Sequence, residues 1–597
     1  MKKIAYILLP LLAGAVLTGC DDMLDAFPKD RMSPETFYKT DKELQAFSMN
    51  MYEMLSATFM EDADTYIQMG LTDELKGTRQ IPSDAKEGGW SWGALRNVNT
   101  LLEYLPNCAD QTARTKYEAL ARFFRVYFYF EKVKRFGDVP WYDKPVGSTD
   151  TELLNRPRDS REFIMGKMIE DIDFAIANLP ATKSAYEITR WTAMALKSRF
   201  LLFEGTFRKY HTEFDYGEGA HDFKWYLDEC ASVSSDFISS SGYGIHTAGG
   251  AAKAYYNLFT AQNATENMDE VILARDYNVA YNVTQSANNT MTSQTMGRHG
   301  MTRKLVASYL MADGSRFTDK EGWETMDFVT ESQNRDPRLS QTIRTPGYTR
   351  LGDTAPCAPN FLHCMTGYHP VKYVMGIEKD TYNSSDCDLI MFRAAEVLLN
   401  FAEAKAEAGT LTQADLDQSV NKLRDRVGMP HLMMAAANAN PDPFLTNEAW
   451  GGYQKVTGAN KGVILEIRRE RAVELAQEGF RYYDIIRWKE GKIFEKQYYG
   501  MYFPEPGKYD LNGDGTPDIL LYTGDKAPAS TATAQYKVGG DDFILSNGTS
   551  GNVNPYKGLS CKWNEDRDYL YPIPTNERNL TKGALTQNPG WDDGLTF

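Results

Sequence analysis

The sequence contains little histidine and cysteine, with 7 of each among its 597 residues. His363 and His369 flank Cys364, but no ligand spacing typical of a zinc site closes around them, so we expect loop residues there. The chain also lacks a phosphate-binding glycine loop. These absences argue against a zinc enzyme and a nucleotide-binding enzyme. A loop disulfide among Cys357, Cys364 and Cys387 is plausible, and its connectivity stays open.

Positive charge is scarce relative to negative charge. The chain has 65 Lys and Arg against 81 Asp and Glu, which gives a formal net charge of −16. An acidic chain repels the phosphate backbone of DNA and RNA, so we expect no nucleic-acid partner. Hydrophobic residues make up 42% and charged residues 24% of the sequence, a balance that suits a globular protein with a large core.

Long hydrophobic runs are absent after the N-terminus. The one such run, residues 4–17, follows Lys2 and Lys3 and is too short to be a good membrane span. A basic head followed by a short apolar run is typical of a secretory signal. We therefore expect the rest of the chain to fold outside the lipid bilayer.

The apolar run ends in Leu17-Thr18-Gly19-Cys20, and small residues before a cysteine resemble a lipobox. We predict that residues 1–19 are a lipoprotein signal peptide and that Cys20 carries the lipid anchor. An ordinary signal peptide followed by a chance cysteine is the alternative. Asp21 and Asp22 resemble the surface-export signals of some Gram-negative lipoproteins, which favours the surface of the outer membrane.

Helical periodicity fills two parts of the chain. Apolar residues recur at helical spacing over residues 112–135, and Asp159 is a candidate cap for a second helix, with Glu162 returning the bond. Further helices are predicted after Thr189 and over residues 223–238, 391–408, 414–427 and 463–489. Paired helices with short loops favour a helical-repeat stack. Residues 240–388 are rich in Gly, Asn, Thr, Ser and Tyr and are predicted as long, functional loops with short strands and helices.

Short motifs spread over nearly the full length resemble, in their order, those of the SusD/RagB family of outer-membrane lipoproteins. Any one match is weak, but their number and order make chance implausible. The motifs are Ser33-Pro34-Glu35-Thr36-Phe37-Tyr38, Arg96-Asn97-Val98-Asn99, Arg135-Phe136-Gly137-Asp138-Val139-Pro140, Asn334-Arg335-Asp336-Pro337-Arg338, Ala395-Glu396-Val397-Leu398-Leu399-Asn400, Arg469-Glu470-Arg471-Ala472-Val473-Glu474-Leu475, Tyr571-Pro572-Ile573-Pro574 and Gln587-Asn588-Pro589-Gly590-Trp591.

The resemblance implies a mainly α fold, a tetratricopeptide-like α-superhelix of four helix pairs with a loop-rich ligand-binding lobe. An N-terminal helical region would cover residues 20–240, and a C-terminal region with the lobe would cover residues 241–597. The implied partner is a TonB-dependent barrel transporter of the SusC type, and the expected cargo is an oligosaccharide. Peptide cargo is an alternative, because one branch of the family serves peptide uptake. A two-lobed solute-binding protein would need alternating strands and helices, which the pattern lacks.

Charged residues crowd the segment 466–478, where Glu470 and Glu474 stand one helical turn apart. Two carboxylates in a cleft could hydrolyse a glycosidic bond, so a lipid-anchored glycoside hydrolase is a weaker alternative. Opposite charges three and four residues apart also interlock as ion pairs that need no substrate. We expect this structural role here and for Glu396 and Glu403, and therefore expect a binding protein and not an enzyme.

Aromatic and polar residues in two stretches are the predicted ligand contacts, because flat rings pack on sugar faces while polar side chains bond hydroxyls. By resemblance, the stretch before the first well-defined helix and the middle lobe supply such contacts. Each of these side chains could equally belong to the core. The candidates are Asp73, Arg79, Trp90 and Trp92 in the first stretch, and Tyr277, Asn278, Tyr281 and Trp323 in the lobe.

The segment 510–518 has oxygen-bearing residues at alternate positions and glycine at the sixth, as in the front of a calcium loop. Leu521 stands at position twelve, where an EF-hand has a bidentate Glu. A tight turn rich in Asp and Asn is the alternative. The predicted ligands of a structural Ca²⁺ are Asp510, Asn512, Asp514, the Thr516 carbonyl and Asp518.

Overall fold

The computed structural model describes residues 37–55, 69–75, 88–540, 543–559 and 561–595. The longer helices are α1 (Asp41–Ser48), α2 (Gly93–Tyr104), α3 (Gln111–Phe136), α4 (Arg161–Asn178), α5 (Arg190–Tyr210), α6 (Phe223–Ser240), α7 (Ala394–Ala408), α8 (Val420–Val427), α9 (Lys461–Glu474) and α10 (Arg481–Arg487). Shorter helices span Thr151–Leu154, Ala254–Thr260, Ala287–Thr292, Arg303–Ser308, Phe328–Glu331, Gln413–Asp417, Met434–Ala439 and Thr575–Leu580. The strands are β1 (Val271–Arg275), β2 (Leu389–Arg393), β3 (Tyr502–Phe503), β4 (Lys508–Tyr509), β5 (Ile519–Tyr522), β6 (Ala534–Lys537) and β7 (Gly551–Asn552).

Helices α2 to α7 pack one against the next in chain order, and α7 then packs against α9. At the crossing of α5 and α6, a Cβ added to Gly205 would lie 2.7 Å from Leu227 Cδ2, so only glycine lets the two helices approach so closely. This succession of neighbouring helices confirms the predicted tetratricopeptide-like, mainly α fold. Within the described residues, none of the helices combines the length and apolarity that crossing a membrane requires.

Local capping explains where α3 begins and ends. Asp110 Oδ1 accepts hydrogen bonds from the backbone N–H groups of Thr112 and Ala113 at 2.8 and 3.2 Å. Gly137 follows the last turn with φ of 73°, a conformation that a residue with a Cβ rarely adopts. The helix therefore covers the predicted segment 112–135 with one extra residue at each end.

The predicted cap of the next helix was wrong by one residue. Ser160 caps α4, since its Oγ accepts from the backbone N–H of Phe163 at 3.3 Å. Asp159 instead accepts from the backbone N–H of Trp141 at 2.7 Å and pairs with Arg156. Helix α5 begins directly after Thr189, as predicted, and Thr189 is its cap.

Three predicted C-terminal helices are shorter than the periodicity indicated. The first residues of segment 391–408 belong to β2, which pairs antiparallel with β1. Segment 414–427 splits between Gln413–Asp417 and α8. Segment 463–489 splits into α9 and α10, because Gln477 and Gly479 between them take φ of 63° and 84°. The middle segment 240–388 has short helices, as expected, but a single strand, β1.

The strands form small sheets beside the helices. β1 and β2 make one antiparallel pair, in which Arg275 faces Leu389. β5 lies between β4, which is antiparallel to it, and β6, which is parallel. The largest hydrophobic core cluster extends from Tyr38 to Leu585, so it includes residues from both sides of the predicted boundary at residue 240.

Buried ion pairs hold the C-terminal helices to the rest of the protein. Glu474 on α9 is fully buried and pairs with Arg338 at 3.0 Å, with Arg393 at 2.7 Å and with Arg426. Burial raises the pKa of the Glu474 carboxyl, but the three guanidiniums outweigh burial and hold it well below its usual range. The prediction that these charged residues form ion pairs with a structural role is confirmed. The partners of Glu474 lie on other elements and not one helical turn away on α9.

Candidate functional site

The two tryptophans before α2 form part of one open cavity of about 350 Å³. Its size falls at the lower end of the range for small-molecule sites. The lining residues are Trp90, Trp92, Gly93, Leu95, Arg96, Asn99, Pro140, Tyr142, Lys144, Val146, Leu154, Arg156, Glu577, Thr581 and Leu585. We call this the Trp92 cavity.

Aromatic rings form one wall of the Trp92 cavity. Trp90 is 9% exposed and packs edge-on against Phe136, with the ring centroids 4.9 Å apart. Trp92 is half-buried and lies 5.3 Å from both Trp90 and Tyr142, nearly perpendicular to each. The ring of Phe128 on α3 lies 5.4 Å from that of Trp92. The wall is therefore a supported aromatic surface with Trp92 and Tyr142 at its accessible side.

Asn99 supplies an unused hydrogen-bond acceptor in the same cavity. Its Nδ2 donates to the backbone carbonyls of Tyr142 at 2.9 Å and Lys144 at 3.3 Å, which fixes the orientation of the amide. The side chain is 1% exposed, and within the described chain its Oδ1 has no hydrogen-bond partner. Buried carbonyl oxygens are rarely left without a donor. A hydroxyl or amide donor of a ligand would satisfy this atom if it reached it.

The sequence prediction and the cavity overlap in Trp90 and Trp92, which the structure brings together. Arg79 lies outside the described residues, as does Cys20. Asn99, Tyr142 and Glu577 were missed as lining residues, because they come from three separate parts of the chain that only the tertiary fold brings to the tryptophans. A single sequence carries no signal of that contact.

Asp73 and Tyr277 were predicted to contact ligand, but both side chains are buried. Asp73 is 3% exposed, and its two oxygens accept from Arg481 at 2.7 Å each. Tyr277 is 5% exposed, and its backbone N–H donates to Asp388 Oδ1 at 2.9 Å. The structure therefore places both residues in the core. Both Asp73 oxygens are occupied by Arg481, whereas the Tyr277 hydroxyl has no hydrogen-bond partner within the described residues.

Asn278 and Tyr281 lie at the tip of a tight turn in the lobe. Asn278 pairs with Val283 across the turn, and its Oδ1 accepts from the backbone N–H of Ala280 at 2.9 Å. Tyr281 is 80% exposed. The two residues do not line the Trp92 cavity.

Trp323 belongs to a second aromatic surface. Its ring lies 5.0 Å from that of Trp450, with 49° between the planes, and both are half-buried. Buried Phe444 supports the two rings from 5.4 and 6.1 Å. This surface shares no lining residue with the Trp92 cavity.

Lys304 lies beneath this second surface. The residue is 3% exposed, and its Nζ lies 4.1 Å from the Phe444 ring centroid. This Nζ has no hydrogen-bond partner among the residues that the structure covers. Burial lowers the pKa of Lys304 to about 7, although Asp73 acts in the opposite direction.

Replacing Lys304 by Met is expected to raise the free energy of unfolding by about 2 kcal/mol near pH 7, net of the lost contact with Phe444. The unfolded lysine keeps its proton up to about pH 10.5 and the folded one up to about pH 7. Wild-type stability therefore rises with pH across this window and is lowest below it. Denaturant unfolding at about pH 6, 8 and 10 should show the advantage of the variant shrinking with rising pH. A variant less stable than wild type at the lowest pH would contradict this.

The predicted calcium loop forms a tight turn between β4 and β5. Asp510 accepts from the backbone N–H groups of Gly513 and Gly515 at 2.7 Å each, and Leu521 is buried in β5. Asn512 Nδ2 lies 3.2 Å from both Asp514 and Asp518. Across the described ranges, no group of three or more His, Cys, Asp or Glu side chains is arranged to hold a metal. Calcium binding, with the Thr516 carbonyl as a further ligand, stays a prediction.

If Ca²⁺ binds this loop, removing it with a chelator should lower the melting temperature by a few degrees, and added Ca²⁺ should restore it. The Asp514→Ala variant should have lost this response. The matched control is Asp525→Ala, since Asp525 is an exposed carboxylate near the same sheet. If the melting temperature did not change and the purified protein contained no metal, the segment would be a tight turn that binds no Ca²⁺.

The suggested loop disulfide is not formed. Cys357, Cys364 and Cys387 carry free thiols. The Sγ of Cys364 lies 3.6 Å from the Thr366 hydroxyl, and that of Cys387 accepts from the Gln285 amide at 3.3 Å.

Comparison with known proteins decides the family. A family model described as "SusD family" matches residues 258–591, more than half of the chain. The chain belongs to the SusD family. A second family model, described as "Starch-binding associating with outer membrane", matches residues 31–202.

Relatives of the SusD family cover most of the chain at low identity. A SusD-like protein of Formosa agariphila is 24% identical over 542 residues, covering 87% of this chain and 95% of the relative. A SusD-like protein of Bacteroides ovatus is 21% identical over 508 residues, covering 78% and 79%. The resemblance to the family that the motifs indicated is therefore confirmed.

Solved structures show the same fold. A SusD-like carbohydrate binding protein from Bacteroides fragilis has a TM-score of 0.65 at 19% identity, covering 91% of this chain and 99% of that one. A crystal structure with a xylogluco-oligosaccharide has a TM-score of 0.58 at 16% identity, covering 91% and 97%. At these identities the comparison establishes the shared fold.

Proposed function

We propose that this SusD-family protein binds an oligosaccharide in the Trp92 cavity and is not an enzyme. The observation that carries the proposal is the combination of a supported aromatic wall with an unsatisfied acceptor, Asn99 Oδ1, in one cavity. A sugar offers an apolar face to Trp92 and Tyr142 and a hydroxyl donor to Asn99. The description of the Bacteroides fragilis structure as carbohydrate binding is consistent with this cargo.

The charge arrangement supports binding without catalysis. Hydrolysis of a glycosidic bond by the common mechanisms needs two carboxyl groups that flank the bond. Among the described residues that line the Trp92 cavity, Glu577 is the single carboxylate. The crowded carboxylates around α9 are taken up by buried arginines and lie in the core.

The proposed cellular setting follows from the N-terminal motif and the family. Cys20 carries the lipid anchor in the outer membrane, and the protein faces the cell surface. The bound oligosaccharide is passed to a TonB-dependent barrel transporter of the SusC type. The second family model, whose description includes association with the outer membrane, supports this location.

A binding screen tests the cargo. A form lacking residues 1–20 is presented with a panel of oligosaccharides and peptides, and each hit is measured by calorimetry. We expect an oligosaccharide hit without release of shorter products. A peptide hit alone would reassign the cargo, and product release would favour the hydrolase alternative.

Affinity isolation tests the partner and the anchor. The full-length protein, extracted in mild detergent from its own membranes, is expected to carry an acylated Cys20 and to bring down an outer-membrane barrel. The Cys20→Ala variant should appear unacylated in the soluble fraction and bring down no barrel. A Cys20→Ala protein that still fractionates with the outer membrane would contradict the lipid anchor.

A further inference from the structure

The Trp92 cavity is lined by more positive than negative charge, although the chain as a whole is acidic. Arg96, Lys144 and Arg156 line it, against one carboxylate, Glu577. Arg156 is matched by Asp159, which lies 3.0 Å away. In the part of the chain that the structure describes, Arg96 and Lys144 form no ion pair. Two unmatched cations in one cavity of a chain with a net charge of −16 favour a negatively charged ligand.

Hydrogen bonds from α2 bring these two cations to the same rim. The Arg96 guanidinium donates to the Val146 carbonyl, and the Asn99 amide donates to the Lys144 carbonyl at 3.3 Å. The segment that carries Lys144 is thereby fastened along one face of α2. Asp143 and Asp150 belong to the same segment but do not line the cavity, and Asp150 accepts from the backbone N–H of Gly147 at 2.7 Å.

The N-terminus of α2 opens into the cavity as well. This helix has 12 residues, its N-cap position is Trp92, and no side chain caps its first N–H groups. Gly93, the first helical residue, lines the cavity. Uncapped N–H groups at a helix start carry partial positive charge and favour an anion. The unsatisfied Asn99 Oδ1, buried in the same cavity, independently indicates that a ligand with a hydroxyl donor belongs there.

We infer that the saccharide bound in the Trp92 cavity is anionic and carries a carboxylate or a sulfate. This inference rests on the proposed function. The acidic group lies between Arg96, Lys144 and the start of α2, while the sugar ring packs on Trp92 and a neighbouring hydroxyl donates to Asn99 Oδ1. Guanidinium and ammonium groups bind carboxylate and sulfate through the same charge-assisted hydrogen bonds, so the geometry defines the charge and not its source.

Matched saccharide pairs test the charge. The full-length protein in detergent is titrated with oligogalacturonides and with the same oligomers after methyl esterification, which removes the carboxylate charge. A second pair consists of a sulfated galactan oligosaccharide and its desulfated form. We expect the charged member of at least one pair to bind about tenfold or more tightly than its neutral form. The pair that shows the difference identifies carboxylate or sulfate as the source.

Substitutions then locate the effect. The double variant Arg96→Ala, Lys144→Ala should bind the charged saccharide about tenfold more weakly and should lose the preference for the charged over the neutral form. Its affinity should also lose most of the dependence on salt between about 50 and 300 mM sodium chloride. Arg96→Lys, Lys144→Arg keeps both charges and should keep the preference. Lys167→Ala, an exposed cation on α4, is the matched control and should behave as wild type.

The outcomes separate the charge inference from the proposed function. A neutral member that binds as tightly as its charged partner, with affinity lost on Trp92→Ala, would overturn the anionic ligand and leave saccharide binding in place. Charged saccharides whose affinity is unchanged in the double alanine variant would also overturn the inference. No binding by any member of either pair at millimolar concentration would overturn both.

Discussion

Replacing Trp92 by Ala is expected to weaken saccharide binding by about 2 kcal/mol, roughly thirtyfold in Kd. Trp92 offers the accessible ring of the Trp92 cavity, and an aromatic anchor in a cavity typically contributes most to such an interface. The affinity loss should appear for each saccharide that binds wild type. Calorimetric titration of wild type and variant with the same saccharide measures it.

Two controls give this experiment its resolution. Trp92→Phe keeps an aromatic ring against Tyr142 and should retain part of the affinity. Comparing it with Trp92→Ala shows how much of the affinity depends on an aromatic ring at this position. Trp323→Ala removes a tryptophan from the second aromatic surface and should leave binding unchanged if the Trp92 cavity is the site. If Trp323→Ala abolished saccharide binding while Trp92→Ala bound as wild type does, the site would lie at the Trp323–Trp450 surface.

Replacing Glu474 by Gln is expected to lower the free energy of unfolding by about 3–5 kcal/mol. The glutamine keeps the size of the side chain but leaves the charges of Arg338, Arg393 and Arg426 without their shared carboxylate in the core. Removing one partner of a buried ion pair is costly because the remaining charge cannot regain water. Urea denaturation near pH 7 measures the change.

The surface provides the matched control for this variant. Glu118 pairs with Arg122 at 2.6 Å on the outer side of α3, where both side chains are about one-third exposed. Glu118→Gln should cost less than about 1 kcal/mol, because exposed ion pairs contribute little. The Glu474 contribution is present above the unfolded pKa of about 4.5 and is lost as the pH falls toward its lowered folded value, so the two variants should converge in acid. Equal effects near pH 7 would contradict a buried network.

Much of the helical part could be predicted because its signals are local. The apolar spacing of α3, the cap at Thr189 and the left-handed Gly409 after α7 are properties of a few neighbouring residues. Asp159 and Ser160 are both good caps, and only the position of Trp141 decides that Asp159 is used elsewhere.

The errors in the C-terminal half have tertiary causes. β2 is extended because β1, more than a hundred residues earlier in the chain, offers it hydrogen bonds. The break between α9 and α10 fits the burial of Gln477, whose backbone N–H donates to Glu74. No periodicity within either segment carries this information, so the sequence favoured helices that were too long.

The same distinction applies to the candidate site. Trp90 and Trp92 could be predicted because they are adjacent aromatics in a stretch that the family resemblance singled out. Asn99 reads as an ordinary helical residue until the Tyr142 segment occupies its Nδ2 and leaves its Oδ1 unsatisfied. Asp73 and Tyr277 matched the expected residue types equally well, yet Arg481 and Asp388 hold them in the core. Residue type identifies candidates, and long-range packing selects among them.

A crystal structure of the form lacking residues 1–20 with the tightest-binding saccharide tests the central claim most directly. We expect density for the saccharide in the Trp92 cavity, with a sugar ring against Trp92 and a hydroxyl within hydrogen-bond distance of Asn99 Oδ1. A saccharide bound at the Trp323–Trp450 surface or at the Tyr281 turn, with the Trp92 cavity filled by water alone, would contradict the account.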